Sequence, residues 1–436
     1  MNILLIGSGG REHAFAKKMV SSPKCDKLYV APGNAGTSEI AENVTLGVTD
    51  FEGIKEFVVA KKIDMVVVGP EEPLVKGITD ILSGDAGTKH VLVIGPTKKG
   101  ATLEGSKDFS KQFMARNGIP TATYHSFSKE TLQDGLEFIS HQTLPIVLKA
   151  DGLAAGKGVL ILQSYEEAEK SFKEMLLENK FGEASKMVVV EEFLSGIELS
   201  VFVATDGRNY RILPEAKDYK RIGENDTGLN TGGMGAVSPV PFADEAFMEK
   251  VEKNIVQPTV RGLSKENIDY KGFLFIGLMN VEGEPKVIEY NVRMGDPETQ
   301  AVLPRIKSDF VELLYAIGTR NLSEYTLEIE NCVTTTVVMV AGGYPGTYVK
   351  GDRISGLLTS DNDKYIVYHA GTRSDGSGSV LTNGGRILGI TGKGMDVKEA
   401  IANAYEMTDQ IGWNNQYYRK DIGQDILNYG KKLPKH

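Results

Sequence analysis

The sequence predicts an α/β protein of three units: an N-terminal doubly wound parallel-sheet domain, a central domain with an antiparallel α+β lid, and a small C-terminal α+β domain. Three observations predict this. The chain has 436 residues, enough for roughly three domains at about 150 residues each. Strand and helix patterns alternate through its first hundred residues, as parallel βα units do. From Pro145 onward the pattern changes to closely spaced apolar runs, which pair as antiparallel strands.

Taken in order, Ile3-Leu4-Leu5-Ile6 is the first strand, Gly7-Ser8-Gly9-Gly10 its turn, and residues 11–20 the helix that follows. Residues 27–30, 64–68 and 91–94 are the next strands, and residues 51–60 are helical. Each strand ends in turn chemistry: the Gly7–Gly10 turn, Pro32-Gly33-Asn34-Ala35-Gly36-Thr37, Gly69-Pro70-Glu71 and Gly95-Pro96. In doubly wound sheets ligands bind beyond the carboxyl ends of the strands, so these four loops should share one crevice. Residues 98–105 read as a connector, and 106–117 as a helix stopped by Ile119-Pro120. Runs at 146–150, 159–162, 187–191 and 199–205, with a helix at 165–177, read as the lid. Residues 272–281 and 285–291 form another strand pair. A third unit opens with the strand 334–340 and closes with a helix at 397–411. There Asp396 and Glu399 fit a capping box, and Ala400, Ile401, Ala404, Thr408 and Ile411 share one face. The domains are therefore placed at residues 1–104, 105–330 (lid at about 122–192) and 331–436.

Composition excludes several classes. Lys and Arg number 49 against 58 Asp and Glu, a net charge of −9, whereas a nucleic-acid binder needs a basic footprint. The two cysteines, Cys25 and Cys332, cannot build a disulfide scaffold or a Cys-rich zinc site. Six scattered histidines with no His-x-x-x-His pair argue against a His-ligated metal. No apolar run approaches the roughly 18 residues of a membrane span. The opening apolar run is too short for a signal-peptide core and lacks a basic leader. A cytoplasmic protein without nucleic-acid or membrane partners is expected. The unusual count is 49 glycines, which suggests backbone approaching ligands closely at several places.

Gly7-Ser8-Gly9-Gly10-Arg11-Glu12 resembles a dinucleotide fingerprint, but Glu12 stands where the third glycine belongs. The second strand, ending Tyr29-Val30-Ala31, supplies no carboxylate for ribose hydroxyls, so nicotinamide chemistry is disfavoured. The loop still offers N–H groups at a helix N-terminus. It reads as a phosphate site with Arg11 and the Asn34–Thr37 loop beside it, or as a plain tight turn; His13 is expected to be structural. Asp151-Gly152-Leu153-Ala154-Ala155-Gly156-Lys157-Gly158 differs from a Walker loop in spacing, and a strand follows it where a P-loop starts a helix. It reads as a hairpin able to fold over phosphates, with Lys149 on the incoming strand. The hinge Glu191-Glu192-Phe193-Leu194 reads on its own as a plain strand connection with solvated glutamates, or as exposed backbone that can pair with an adenine edge. Phe193 and Leu194 then pack on its face, and Glu198 accepts from ribose. On the strand Val287–Arg293, residues two apart share a face, so Glu289, Asn291 and Arg293 point together. Two oxygen donors and a guanidinium suit a magnesium-bound triphosphate. The loop 294–299 and the apolar-poor loop Asn230-Thr231-Gly232-Gly233-Met234-Gly235, near Asp218, Lys220 and Arg221, read as substrate loops or as solvated surface.

In this order the motifs resemble the ATP-grasp superfamily, and more narrowly the phosphoribosylamine–glycine ligase (glycinamide ribonucleotide synthetase) family. The matching stretches are 7–14, 32–37, 69–74, 103–107, 149–158, 230–235 and 289–300, and the resemblance covers essentially the whole chain. It implies a central ATP-grasp domain and ligation of glycine to 5-phosphoribosylamine in purine biosynthesis, with ATP as substrate and Mg²⁺ or Mn²⁺ as metal; a monomer is expected. Lys107 and Lys149 would contact phosphates, and Gly152, Gly156, Lys157 and Gly158 would close over them. Glu191, Phe193 and Leu194 would hold adenine, Glu198 the ribose, and Glu289 and Asn291 the metal. Gly9, Gly10, Arg11, Asn34, Gly36, Thr37 and Glu71 would line the phosphoribosylamine crevice. Asn230, Thr231, Gly232, Gly233 and Asp296 would also bind substrate, with Arg293, Lys149 and Asp218 as catalytic residues. Two departures stand out: Lys217-Asp218-Tyr219-Lys220-Arg221 replaces the family's Gln-Asp-His-Lys-Arg, and the strand Phe275–Met279 offers no third metal ligand.

Overall fold

The structure, a computed structural model, describes residues 1–153, 158–178, 180–357 and 362–429. The first strand, Asn2–Gly7, is apolar and fully buried from Ile3 to Ile6. A strand apolar on both faces needs cover on both, which helices on either side of a parallel sheet provide. Ile3 and Leu5 pack with Phe15 and Met19 of the helix Gly10–Val20. Leu4 and Ile6 pack with Ile54 and Val58 of the helix Phe51–Ala60. The sheet runs Glu42–Asn43, Lys27–Pro32, Asn2–Gly7, Met65–Val68, Leu92–Ile94, all parallel.

Three of the four carboxyl-end loops meet as expected. Asn34 Nδ2 donates to Ser8 O at 2.9 Å, and Gly69 packs against the Glu12 carboxyl. The fourth does not join them. Gly95 N donates to Lys271 O at 2.7 Å, and its strand end is sealed against the central domain. The expected connector 98–105 is a helix, Lys98–Gly105, followed by a second, Lys107–Arg116, that Ser106 caps through Phe109 N at 3.0 Å. Glycines at 100 and 105 hid the first helix. Gly100 is needed there, because a Cβ would stand 2.8 Å from Pro96 Cβ.

The lid sheet runs Tyr124–Ser128, Met187–Glu192, Ile146–Ala150, Val159–Leu162, antiparallel throughout. Helices Leu132–Ser140 and Tyr165–Glu178 pack around it on Ile139, Leu148, Phe172 and Val190. Here the sequence expectation needs correcting. The strand Ile197–Thr205 belongs to the next sheet, and Tyr124–Ser128 takes its place. Tyr-His-Ser-Phe-Ser buries one apolar side chain, Phe127, too few for an alternation signal. The central sheet is Tyr210–Ile212, Ile197–Thr205, Gly272–Val281, Glu284–Asn291, antiparallel.

The C-terminal sheet is Lys217–Asp218, Gly235–Ser238, Val333–Val340, Arg386–Gly394, Tyr365–His369. Its first two strands come from the central span, so hydrogen bonding crosses the expected boundary near residue 330. The helix Val397–Thr408 starts at its Asp396 cap, which accepts from Glu399 N at 2.8 Å. Glu399 returns to Met395 N, not to Asp396 N, at 2.7 Å. Among the described residues no helix is long and apolar enough to cross a membrane.

Candidate active site

The site lies between the lid sheet and the central sheet. Lys149, 5% exposed on the lid, reaches across so that its Nζ donates to Ile288 O at 3.2 Å. The same ammonium pairs with Glu191 Oε2 at 2.9 Å. Lys111 pairs with that same oxygen at 3.1 Å and donates to Thr121 Oγ1 at 2.8 Å. Glu191 Oε1 is buried without a partner. Burial lowers the Lys111 ammonium to about 8, with Glu191 pulling the other way. One helical turn before it, Lys107 donates to Gly152 O at 3.2 Å. Burial lowers Lys107 too, against the attraction of Glu289.

Glu289 and Asn291 lie on one face of the strand Glu284–Asn291, with Asn291 Nδ2 3.5 Å from Glu289 Oε1. Across the sheet Glu289 faces Gly277, and Asn291 faces Phe275. A Cβ on Gly277 would stand 3.2 Å from Glu289 Cγ, so the bare glycine leaves room for this carboxylate. Burial opposes its charge, yet Lys220, Lys149 and Lys107 hold Glu289 below the usual carboxylate range. A persistently anionic oxygen beside an amide oxygen fits a hard divalent cation. Among the described residues no group of three His, Cys, Asp or Glu is poised around a metal.

Arg293 anchors the far side of this face. Its Nε lies 3.1 Å from Glu71 Oε2, and its Nη2 lies 3.0 Å from Glu104 Oε1 and 3.3 Å from Asn291 Oδ1. Glu104 also accepts from Val292 N at 2.7 Å. Burial pushes the Glu104 carboxyl up to about 7, against Arg293. Glu71, also penalised by burial, is held low by Arg293 and Arg11.

Asp218 ends the short strand Lys217–Asp218, and Lys220 follows just beyond it, close enough for their charges to act on each other. Lys220 forms a short ion pair with Glu198. Its charge survives burial because Asp218, Glu198 and Glu289 surround it. Burial raises Asp218 to about 6, with Lys220 opposing and Glu198 and Glu289 adding to the rise, and burial raises Glu298 to about 8, with the Asp218 charge adding to it. The Tyr219 hydroxyl donates to Asp425 Oδ1 at 2.5 Å and accepts from Gly423 N at 3.0 Å. The departure from the family's histidine therefore sits at the contact with the C-terminal domain, away from the carboxylates.

The N-terminal loops are tied down by hydrogen bonds within the fold. Gly9 N donates to Glu12 Oε2 at 2.6 Å, and Arg11 N donates to Asp296 Oδ2 at 3.3 Å. In this structure these two amides are paired with the carboxylates of Glu12 and Asp296. Side chains at Gly7, Gly9 or Gly69 would run into the Glu12 carboxyl. Arg11 is buried, bound to Glu12 Oε1 at 2.5 Å and Met294 O at 3.1 Å. Asn34 and Thr37 lock their own turn: Thr37 N donates to Asn34 Oδ1 at 3.0 Å, and Asn34 Nδ2 to His369 O at 2.9 Å. Gly10 packs against Gln300, and Gly36 against His13.

The loop after Asn230 is ordered by the C-terminal domain. Arg386 Nη1 donates to Gly232 O and to Asp296 O, both at 2.6 Å, and Nη2 lies 3.5 Å from Asp296 Oδ1. Gly232 N donates to the Tyr344 hydroxyl at 3.0 Å. Thr231 Oγ1 donates to Lys220 O at 2.8 Å, and a Cβ on Gly233 would collide with Pro297. Asp296 is penalised by burial but held low by Arg386 and Arg11. At the hinge Phe193 is exposed and Leu194 half-buried. Ala150 N donates to Gly158 O at 2.8 Å at the base of the hairpin; Gly156 and Lys157 lie outside the described residues.

Sequence reasoning did not single out Lys111, Glu104 or Arg386, and took Glu298 only as part of the loop 294–299. Lys111 lies four residues after Lys107 and so shares its helix face, a usable signal. Glu104, Glu298 and Arg386 are brought in by tertiary packing alone.

Comparison with known proteins extends over nearly the whole chain. Models of the phosphoribosylglycinamide synthetase N domain, ATP-grasp (A) domain and C domain match residues 1–104, 105–299 and 334–425. The phosphoribosylamine–glycine ligase of Vibrio cholerae is 47% identical over 426 residues, spanning 97% of this chain and 98% of that one. The Escherichia coli K12 ligase of the same name is 46% identical over the same shares. The crystal structure of phosphoribosylamine–glycine ligase from Thermotoga maritima superposes with a TM-score of 0.83 at 34% identity, covering 97% of this chain and 100% of that one. The biotin carboxylase domain of Hydrogenobacter thermophilus 2-oxoglutarate carboxylase, solved with MgADP, shares the fold at a TM-score of 0.72 and 14% identity, with 98% of each chain covered. The chain belongs to the phosphoribosylglycinamide synthetase family.

Proposed function

We propose that this chain ligates glycine to 5-phosphoribosylamine with ATP, giving glycinamide ribonucleotide, ADP and phosphate through a glycyl phosphate. The observation that carries the reading is the cleft. Glu289 and Asn291 stand on the central sheet, with Arg293 just past the strand's end, where Lys149 crosses from the lid and Lys107 acts on the same carboxylate.

A carboxylate does not acylate an amine unaided, because its leaving group would be oxide. One glycine carboxylate oxygen attacks the γ-phosphorus and ADP leaves. The 1-amino nitrogen of phosphoribosylamine then attacks the acyl carbon, phosphate leaves with the C–O bond electrons, and the nitrogen loses its proton. Lys107 and Lys149 bind phosphate oxygens, while the 152–158 hairpin covers them and keeps water from the acyl phosphate. Phe193 and Leu194 take the adenine end, with Glu198 at the ribose, while the Glu191 carboxylate stays between Lys149 and Lys111. Glu289 and Asn291 would hold magnesium, or manganese in its place, which neutralises charge on the transferring phosphoryl group. Arg293, fixed by Glu71 and Glu104, adds a preorganised positive charge beside that face. Asp218 supplies a carboxylate for glycine's ammonium. The loops at Gly9–Arg11, Asn34–Thr37, Glu71, Asn230–Gly233 and Asp296 line the amine's crevice.

ADP release tests the reading. It should require Mg²⁺, glycine and phosphoribosylamine together. Turnover with a different acid or amine, and none with this pair, would assign the site to another ligation.

A further inference from the structure

Resting on the reading of Lys149 as a phosphate lysine, the lysine pair around Glu191 carries one further step. Lys149 is not free in the structure: its ammonium sits 2.9 Å from Glu191 Oε2. To reach a triphosphate it must leave that oxygen. Glu191 is 3% exposed, and leaving a buried carboxylate without a cation is strongly unfavourable. A lone Glu191–Lys149 pair would therefore hold the lysine back. Lys111 changes this balance, because it lies 3.1 Å from the same oxygen. It does not travel with Lys149, since Thr121 Oγ1 anchors it at 2.8 Å and itself donates to Val287 O at 2.6 Å. The two lysines and one glutamate leave a single net positive charge, so one ammonium is in excess of what Glu191 needs. Lys111, 2% exposed and ringed by fixed partners, is the one that stays.

We infer that Lys111 is a positioning residue: it keeps Glu191 paired so that Lys149 is released to bind the phosphates of ATP. Lys111 itself touches no phosphate. Its removal pins Lys149 to Glu191, and neutralising Glu191 as well sets Lys149 free again.

The test uses the intact chain with Lys111→Met, Lys111→Met/Glu191→Gln and Lys149→Met, each checked for folding by thermal melting. Steady-state ADP release is measured with ATP, glycine and phosphoribosylamine varied in turn. Lys111→Met should raise the KM for ATP by about tenfold or more and leave the other two KM values within about threefold. Adding Glu191→Gln, which keeps an acceptor oxygen, should bring the ATP KM back to within about threefold of the parent, a coupling that a merely structural lysine would not show. An unchanged ATP KM in Lys111→Met, or a double variant no better than the single one, overturns the inference. A defect in Lys149→Met with none in Lys111→Met overturns the inference alone. A silent Lys149→Met overturns the phosphate reading and the inference with it.

Discussion

Replacing Arg386 by methionine removes the one side chain through which the strand Arg386–Gly394 grips two loops of the site at once. Its guanidinium binds Gly232 O and Asp296 O at 2.6 Å each, with a longer approach to Asp296 Oδ1 at 3.5 Å. Hydrogen bonds to a charged group contribute about 1.5–3 kcal/mol each. The side chain is 22% exposed, so water takes over part of the lost pairing, and a total near 2 kcal/mol is a fair expectation. At 1.4 kcal/mol per tenfold, that is about a 30-fold loss. The loss should fall on kcat/KM for glycine and phosphoribosylamine if the two loops it joins carry the substrate face, as proposed, and not the nucleotide face. The assay is steady-state ADP release with each substrate varied at saturating MgATP, alongside calorimetric titration with MgADP. A folded Arg386→Met variant with unchanged kcat/KM for both substrates would refute the reasoning, as would a defect confined to ATP.

Three further outcomes are expected. Glu289→Ala should abolish ligation, with circular dichroism and melting temperature little changed, since Glu289 packs over a bare glycine; retained MgATP-dependent turnover would count against the metal face. Arg293→Lys cannot span Glu71, Glu104 and Asn291 together, so kcat should fall by about a hundredfold or more, with MgADP affinity changed only severalfold by calorimetry. Stability should fall as pH rises from about 4.5 to about 7, because burial keeps Glu104 protonated to about 7 in the folded state while the unfolded chain has already released that proton. The stabilisation, roughly 3 kcal/mol, is complete below the unfolded value and gone above the folded one. Urea unfolding across that range should therefore show Glu104→Gln gaining on the parent as pH rises, and a parallel pair of curves would reject the raised carboxyl.

What the sequence made legible follows local physics. The parallel sheet could be read because Ile3–Ile6 is apolar on both faces and is followed at once by turn residues. The Glu289–Asn291 face could be read because strand geometry fixes which side chains point together; the strand ends at Asn291, short of the expected Arg293, which joins the face through its contact with Asn291. Tyr124–Ser128 could not, since one buried phenylalanine gives no period, and the partner of Ile197–Thr205 could not, because a strand buried on both faces does not announce its neighbour. The Gly7–Glu12 turn misled for a related reason. Its spacing suggested open amides, but the Glu12 carboxylate folds back on Gly9, and Asp296, 285 residues from Arg11, takes another. Arg386 and Glu104 reach the site only through packing between distant segments.

The most direct test of the account follows oxygen. Glycine labelled with ¹⁸O in its carboxylate is turned over with MgATP and phosphoribosylamine, and the released phosphate is analysed by mass spectrometry. Activation through glycyl phosphate predicts one labelled oxygen in every phosphate formed by ligation, the other remaining in the amide. Unlabelled phosphate alongside normal amide formation would contradict it.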